Sequence, residues 1–195
     1  MKFFKKFLLS IIIASMVINI CFAGTLYAAS FSDVKQDAPY AEAVNYLSDL
    51  NITQGIGGGL FGVGKPVTRA MMTVFINRLT GYSSSAEKLK TTSSTFKDVP
   101  KNYWALGDIN LAAKLGFTHG VGNNLFNPEG NVTYIQALGF ILNALNYKDL
   151  KWPNGVMQKA DELGLTKDMP YKADDVITRE NLAVIMYRAL FLKVQ

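Results

Sequence analysis

Apolar residues fall into two kinds of segment along this chain: one solid run near the start, and recurring stripes after it. Between residues 39 and 50, Tyr40, Ala43, Val44, Leu47 and Leu50 follow the i, i+3, i+4, i+7, i+10 spacing of one helix face. That spacing predicts an amphipathic helix with those five side chains turned inward. The glycines from Gly55 to Gly64 cannot occupy a helix interior and predict a turn. Thr68 then reads as an N-cap, with Met71, Met72, Phe75, Ile76 and Leu79 on the inward face behind it. The unit is helix, glycine-rich turn, helix.

The unit recurs. Phe31-Ser32-Asp33-Val34 returns as Phe96-Lys97-Asp98-Val99, 65 residues further on. The same offset carries Gly55 to Gly120, Leu60-Phe61 to Leu125-Phe126, Val67-Thr68 to Val132-Thr133 and Phe75-Ile76 to Phe140-Ile141. In this second copy Thr133 and Gln136 have the spacing of a capping box. A third, shorter copy opens with Tyr147-Lys148-Asp149-Leu150. Its Leu163-Gly164-Leu165-Thr166 echoes Leu115-Gly116-Phe117-Thr118, and its Ile177-Thr178-Arg179 echoes Val67-Thr68-Arg69, but the glycine turn is missing. Matches at fixed offsets indicate duplication. One helical pair cannot bury its own apolar face, so three should close around a shared core. The predicted fold is all-α: three helix–loop–helix repeats packed as a pseudo-threefold helical bundle. The predicted boundaries are 30–82, 96–146 and 147–195, with the polar stretch 83–95 as a flexible linker.

The solid run from Phe7 to Phe22 follows Lys2, Lys5 and Lys6 and ends in the small residues around Ala28 and Ala29. These are the three parts of a secretory signal peptide, assigned to residues 1–29, with no stable membrane span expected after its removal. Three of the twenty lysines and arginines and none of the fifteen acids lie in it, which leaves the remainder near a charge of about +2. So diffuse a charge does not suit nucleic acid, which selects clustered Lys and Arg. The single cysteine, Cys21, also lies in the leader, so neither a disulfide nor a cysteine metal site is expected after it. His119 stands alone, and neither a metal nor a cofactor is expected.

These motifs resemble the S-layer homology family over residues 31 to about 192. The resemblance rests on the Phe-x-Asp-Val opening, the Gly-Ile/Val-x-Gly-x-x-x-Phe turn and the Val/Ile-Thr-Arg start of the second helix. It implies a secreted protein of the bacterial cell wall or surface layer. Its three repeats would bind secondary cell-wall polysaccharide, typically bearing pyruvylated sugar, in grooves between repeats. By resemblance Arg69 and Arg179 would clamp a ketal carboxylate, and a planar guanidinium can do so with two parallel hydrogen bonds. A free helix N-terminus beside each would add backbone N–H donors. Asp33 and Asp98, and by extension Asp149, would meet sugar hydroxyls or orient the arginines. Trp104, and less directly Trp152, would offer an aromatic face, and Gly120 lies in the turn beside the groove. Tyr134 stands where the family has Arg, so at most two grooves are expected to work.

Each marker has a plainer reading. The arginines can bond acidic neighbours across a repeat interface, the Asp residues can cap the first helices, and Trp104 can be an interface aromatic. Gly57 to Gly62 satisfies a dinucleotide-binding pattern and Gly59 to Lys65 most of a P-loop. Neither follows an apolar strand, and Pro66 stands where a P-loop needs Ser or Thr. The first functional expectation is a polysaccharide-binding anchor. The competing one is a protein–protein module that assembles with other surface-layer proteins without glycan, and it would present an apolar surface patch. An enzyme is disfavoured, because the sequence offers no acidic pair or nucleophile with a base that can be assigned to a cleft.

Overall fold

The structure is a computed structural model that describes residues 31–169 and 172–192; the signal-peptide assignment lies outside them. The described residues form seven helices: α1 (Ala41–Asp49), α2 (Arg69–Leu79), α3 (Ser83–Glu87), α4 (Leu106–Lys114), α5 (Tyr134–Ala144), α6 (Asn154–Glu162) and α7 (Arg179–Leu190). No helix among these residues is long and apolar enough to cross a membrane.

The second helix of each unit starts in the same way. Thr68, Thr133 and Thr178 are all extended, with ψ of 161°, 164° and 163°. The Thr68 hydroxyl accepts from the Met71 N–H at 3.3 Å, and Gln136 reaches back to accept from the Thr133 N–H at 3.2 Å. Just before each cap, one residue joins a closed backbone ring. Val67 N–H donates to the Ile177 carbonyl (3.1 Å), Val132 N–H to Val67 (2.8 Å) and Ile177 N–H to Val132 (3.0 Å). All three side chains are buried at the centre. A ring of three bonds, each running from one unit to another, requires approximate threefold symmetry.

The outer helices obey the same symmetry. Each first helix packs on the second helix of the preceding unit: α4 on α2, α6 on α5, and α1 on α7. Most of their apolar faces meet in one main core that includes Leu47, Met72, Ile76, Leu138, Ile141 and Ile185, and Leu106 and Ile109 of α4 form a second with Ala70 and Val74 of α2. The predicted bundle is therefore what forms.

At three places the structure differs from the sequence expectation. Leu50 is 51% exposed, because α1 ends at Asp49 and the chain turns outward before the next apolar row. The stretch 83–95, expected as a flexible linker, carries α3, which packs on α4 with Ala86 buried. The N-termini of the second helices are not free. Arg69 and Ala70 N–H groups donate to the carbonyls of Gly130 (2.9 Å) and Pro128 (3.0 Å). Tyr134 and Ile135 N–H groups donate to Asp175 (2.8 Å) and Ala173 (3.0 Å), and the Arg179 N–H to Lys65 (2.9 Å). Each helix start is capped by backbone from another unit, so these donors hold the bundle together and are not available to an anion.

Candidate functional site

The opening motif shapes the turn. Asp33 accepts from the N–H groups of Phe61 (2.7 Å), Gly62 (2.8 Å) and Val63 (2.9 Å). Asp98 does the same for Phe126 (2.8 Å) and Asn127 (2.7 Å). Neither caps a first helix, as α1 and α4 both begin without a side-chain cap. Burial raises the Asp33 pKa, but its backbone hydrogen bonds outweigh that and hold it below the ordinary value of 3.8. A lowered folded-state pKa adds stability that is complete above 3.8 and lost as pH falls through the folded value. Asp33→Asn should therefore flatten the acid limb of a Tm-against-pH curve between about pH 5 and about pH 3. Parallel curves for the two proteins would remove the turn-clamp role.

The turn so fixed carries Gly120. With φ at 76°, it has the backbone conformation glycine tolerates best, and a Cβ there would fall 2.5 Å from the Leu125 carbonyl oxygen and 2.7 Å from the Phe96 ring. Gly55 is equally crowded in the first turn, where a Cβ would lie 2.5 Å from the Leu60 oxygen.

The arginines cross between units. Arg69, at the start of α2, extends to the second unit's turn, where its Nε donates to the Phe126 carbonyl at 2.7 Å. Its guanidinium lies 4.9 Å from the Phe126 ring centroid and 5.6 Å from that of Phe140. Arg179, at the start of α7, does the same at the first unit's turn. Nε donates to the Phe61 carbonyl at 2.9 Å, and the carbon of the guanidinium lies 4.7 Å and 5.4 Å from Phe61 and Phe75. They are 6% and 5% exposed: both guanidinia lie largely buried against carbonyls and ring faces, and neither is paired with an acid among the described residues. Burial lowers both pKa values. The Asp98 carboxylate partly offsets this for Arg69, and Asp33 and Glu180 do so for Arg179.

One difference separates the two. Arg179 commits a second nitrogen, Nη2, to the Gln54 carbonyl at 2.5 Å. The corresponding nitrogen of Arg69 has only a 3.5 Å contact with the Thr118 hydroxyl, close to the limit of a hydrogen bond. The outer edge of Arg69 lines a cavity of about 600 Å³ between the second and third units. α5 contributes Gln136, Gly139, Phe140 and Asn143; the second turn contributes Thr118, His119 and Gly120; the third opening contributes Asp149 and Trp152. Trp152 is 59% exposed, and its ring lies 3.5 Å from where a Gly139 Cβ would sit, in ordinary contact range of α5.

Of the expected site residues, Arg69 and Gly120 meet in this cavity, together with Asp149 and Trp152. Arg179, Asp33 and Trp104 lie elsewhere, and Asp98 stands behind the turn. Sequence reading missed His119, Gln136 and Asn143, whose types carry no motif. The place of Trp152 in the cavity had a signal: the 48-residue offset that carries Leu115 to Leu163 also carries Trp104 to Trp152.

The closed ring of helix pairs with a groove between units defines a cyclic helical-repeat module. A family model described as the S-layer homology domain matches residues 30–71 and 95–138. The chain is 48% identical, over 97% of its length, to a cell surface protein of Thermoanaerobacter kivui, of which it spans 25%. It is 32% identical to the middle cell wall protein of Brevibacillus brevis, with 84% of this chain and 16% of that protein covered. It is also 32% identical to a surface layer protein of Brevibacillus choshinensis, with 85% of this chain and 15% of that protein covered. The chain thus spans a quarter or less of these relatives. The chain belongs to the S-layer homology family. Its location is the bacterial cell surface, and its general role is anchoring to the cell wall.

Proposed function

We propose that the chain anchors to the wall by holding secondary cell-wall polysaccharide in the groove between its second and third units. The carrying observation is that one cavity combines the outer edge of Arg69 with an exposed Trp152. A carboxylate such as a pyruvate ketal would meet the edge of the Arg69 guanidinium that lines the cavity, displacing its long contact with Thr118, and Trp152 would stack on a sugar ring. Gln136, Asn143 and Asp149 offer donors and acceptors to hydroxyls. Asp149 is the only carboxylate among the described lining residues, so the groove lacks the pair that glycoside hydrolysis uses. The reading is binding without turnover.

The test is co-sedimentation with walls carrying native or depyruvylated polysaccharide. Trp152→Ala should weaken binding at least about tenfold while leaving Tm nearly unchanged, because the side chain is exposed. Depyruvylation should weaken the parent protein by roughly 10- to 150-fold, the range for a charge-assisted hydrogen bond. Equal recovery of parent and variant on both walls would end this reading.

A second reading, assembly with surface-layer proteins, draws on a different face. Tyr46, Tyr187 and Phe191 form an aromatic cluster with ring centroids 5.1–5.7 Å apart, in which Tyr46 is 41% and Phe191 61% exposed. That apolar patch is the feature such a module would present.

A further inference from the structure

The pseudo-threefold symmetry generates a counterpart of the polysaccharide groove, and the chain itself occupies it. The 65-residue offset takes Gly139 and Asn143 on α5 to Val74 and Arg78 on α2. The 48-residue offset takes Trp152 and Val156 to Trp104 and Asp108. All four counterparts line one smaller cavity, of about 210 Å³, against about 600 Å³ for the open groove. On the same turn of α2, Phe75 lies beneath Arg179 as Phe140 lies beneath Arg69. The rest of the small cavity is lined by Ser83, Ala86, Glu87 and Lys90.

Those four residues belong to an insertion. After α5, Asn146 takes φ of 68° and Tyr147 at once opens the third unit; after α2, Gly81 takes φ of 77° but residues 82–95 intervene before Phe96. The inserted α3 has five residues, too short to hold itself together as a helix. It is seated by Ala86 at 2% exposure, by the bond from Asn110 to the Thr92 carbonyl (2.8 Å), and by a fit to Gly107. A Cβ on Gly107 would fall 2.2 Å from the Ala86 carbonyl oxygen. The short helix also packs on α2, and Tyr82 meets the Phe117 ring, yet Ala86 is the only buried residue between 82 and 95, and a segment with so little buried surface opens locally at low cost.

We infer that residues 82–95 are a strap over a second, latent groove for the same class of ligand, an anionic wall polysaccharide. The inference rests on the function proposed above. With the strap displaced, Trp104 supplies the sugar platform and Arg78 the cation, at the positions where the open groove has Trp152 and Asn143. Glu87 and Lys90, now in a 2.5 Å ion pair with each other, leave together with the strap, which frees the space they fill without changing the charge.

Two variants of the full chain test this. Deletion of residues 82–95 joins Gly81 to Phe96 as Asn146 joins Tyr147. Gly107→Ala keeps every residue but drives α3 off its seat, and alanine suits α4. Hydrogen exchange over residues 83–92 reports strap release in Gly107→Ala. Calorimetric titration with size-fractionated polysaccharide released from Thermoanaerobacter kivui walls reports stoichiometry. The expected result is a doubling, from one ligand per chain to two, in both variants. The added site should survive Trp152→Ala and vanish with Trp104→Ala. One ligand per chain in both variants, with the strap shown to be released, overturns the strap and leaves the open groove standing. A parent protein that binds nothing ends the proposed function, and released variants that also bind nothing end the latent groove with it.

Discussion

Arg69→Ala is expected to cost the folded state about 3 kcal/mol and to abolish wall binding as well. The guanidinium is the only described hydrogen-bond partner of the Phe126 carbonyl, and its removal leaves that acceptor buried. It also empties the space between the Phe126 and Phe140 rings, which the guanidinium now occupies. In a domain of this size such a loss lowers Tm by about 6–12 °C, readable by calorimetry or as a fall in denaturant midpoint. Arg69→Lys should retain charge but lose the planar fork, and so recover only part of either property. Arg179→Ala provides the contrast. It strips a partner from two carbonyls, Phe61 and Gln54, so its Tm should fall at least as far. Wall binding by its folded fraction should persist, because the groove beside it lies under the strap. An Arg69→Ala protein as stable as the parent would show that this side chain does not hold the first two units together.

The local parts of this architecture can be read from the sequence, and its connections cannot. Stripes such as Ala43, Val44, Leu47 and Met72, Phe75, Ile76 predict their helices because periodicity is a property of neighbours in the chain. Thr68 and the Thr133–Gln136 pair announce helix starts for the same reason. The order of packing leaves no local trace: nothing in the sequence of α1 says that its partner is α7, well over a hundred residues away. Nor does a helix start reveal that Gly130 or Asp175 backbone will satisfy it. Asp33 shows how local preference misleads. Aspartate favours helix caps, but this one clamps amides 28 to 30 residues further along. The strap was hidden for another reason. A five-residue helix anchored by Ala86 presents no apolar stripe, and its serines and lysines have the composition of a linker.

The ring of backbone bonds leads to the largest expected effect, in a chain cut after Asn146. A stack of repeats loses one interface when its last unit is removed and keeps the others. Here the last unit closes a circle. Cutting it away strips α1 of α7, leaves the Val67 N–H and the Val132 carbonyl without their Ile177 partners, and uncovers the start of α5. Residues 31–146 alone should therefore melt without a cooperative transition, with helical circular dichroism below that of the same helices in the intact protein. Adding residues 147–195 as a separate chain should restore a sharp transition, since the missing contacts are non-covalent. A two-unit fragment that melts sharply within about 5 °C of the parent would show that the ring is dispensable, and would make the first two units the folding module. A non-cooperative fragment rescued in trans would instead make three units the smallest body in which the Arg69 groove can exist. Both walls of that groove, α5 and the Trp152 segment, depend on the third unit either for packing or for the residues themselves.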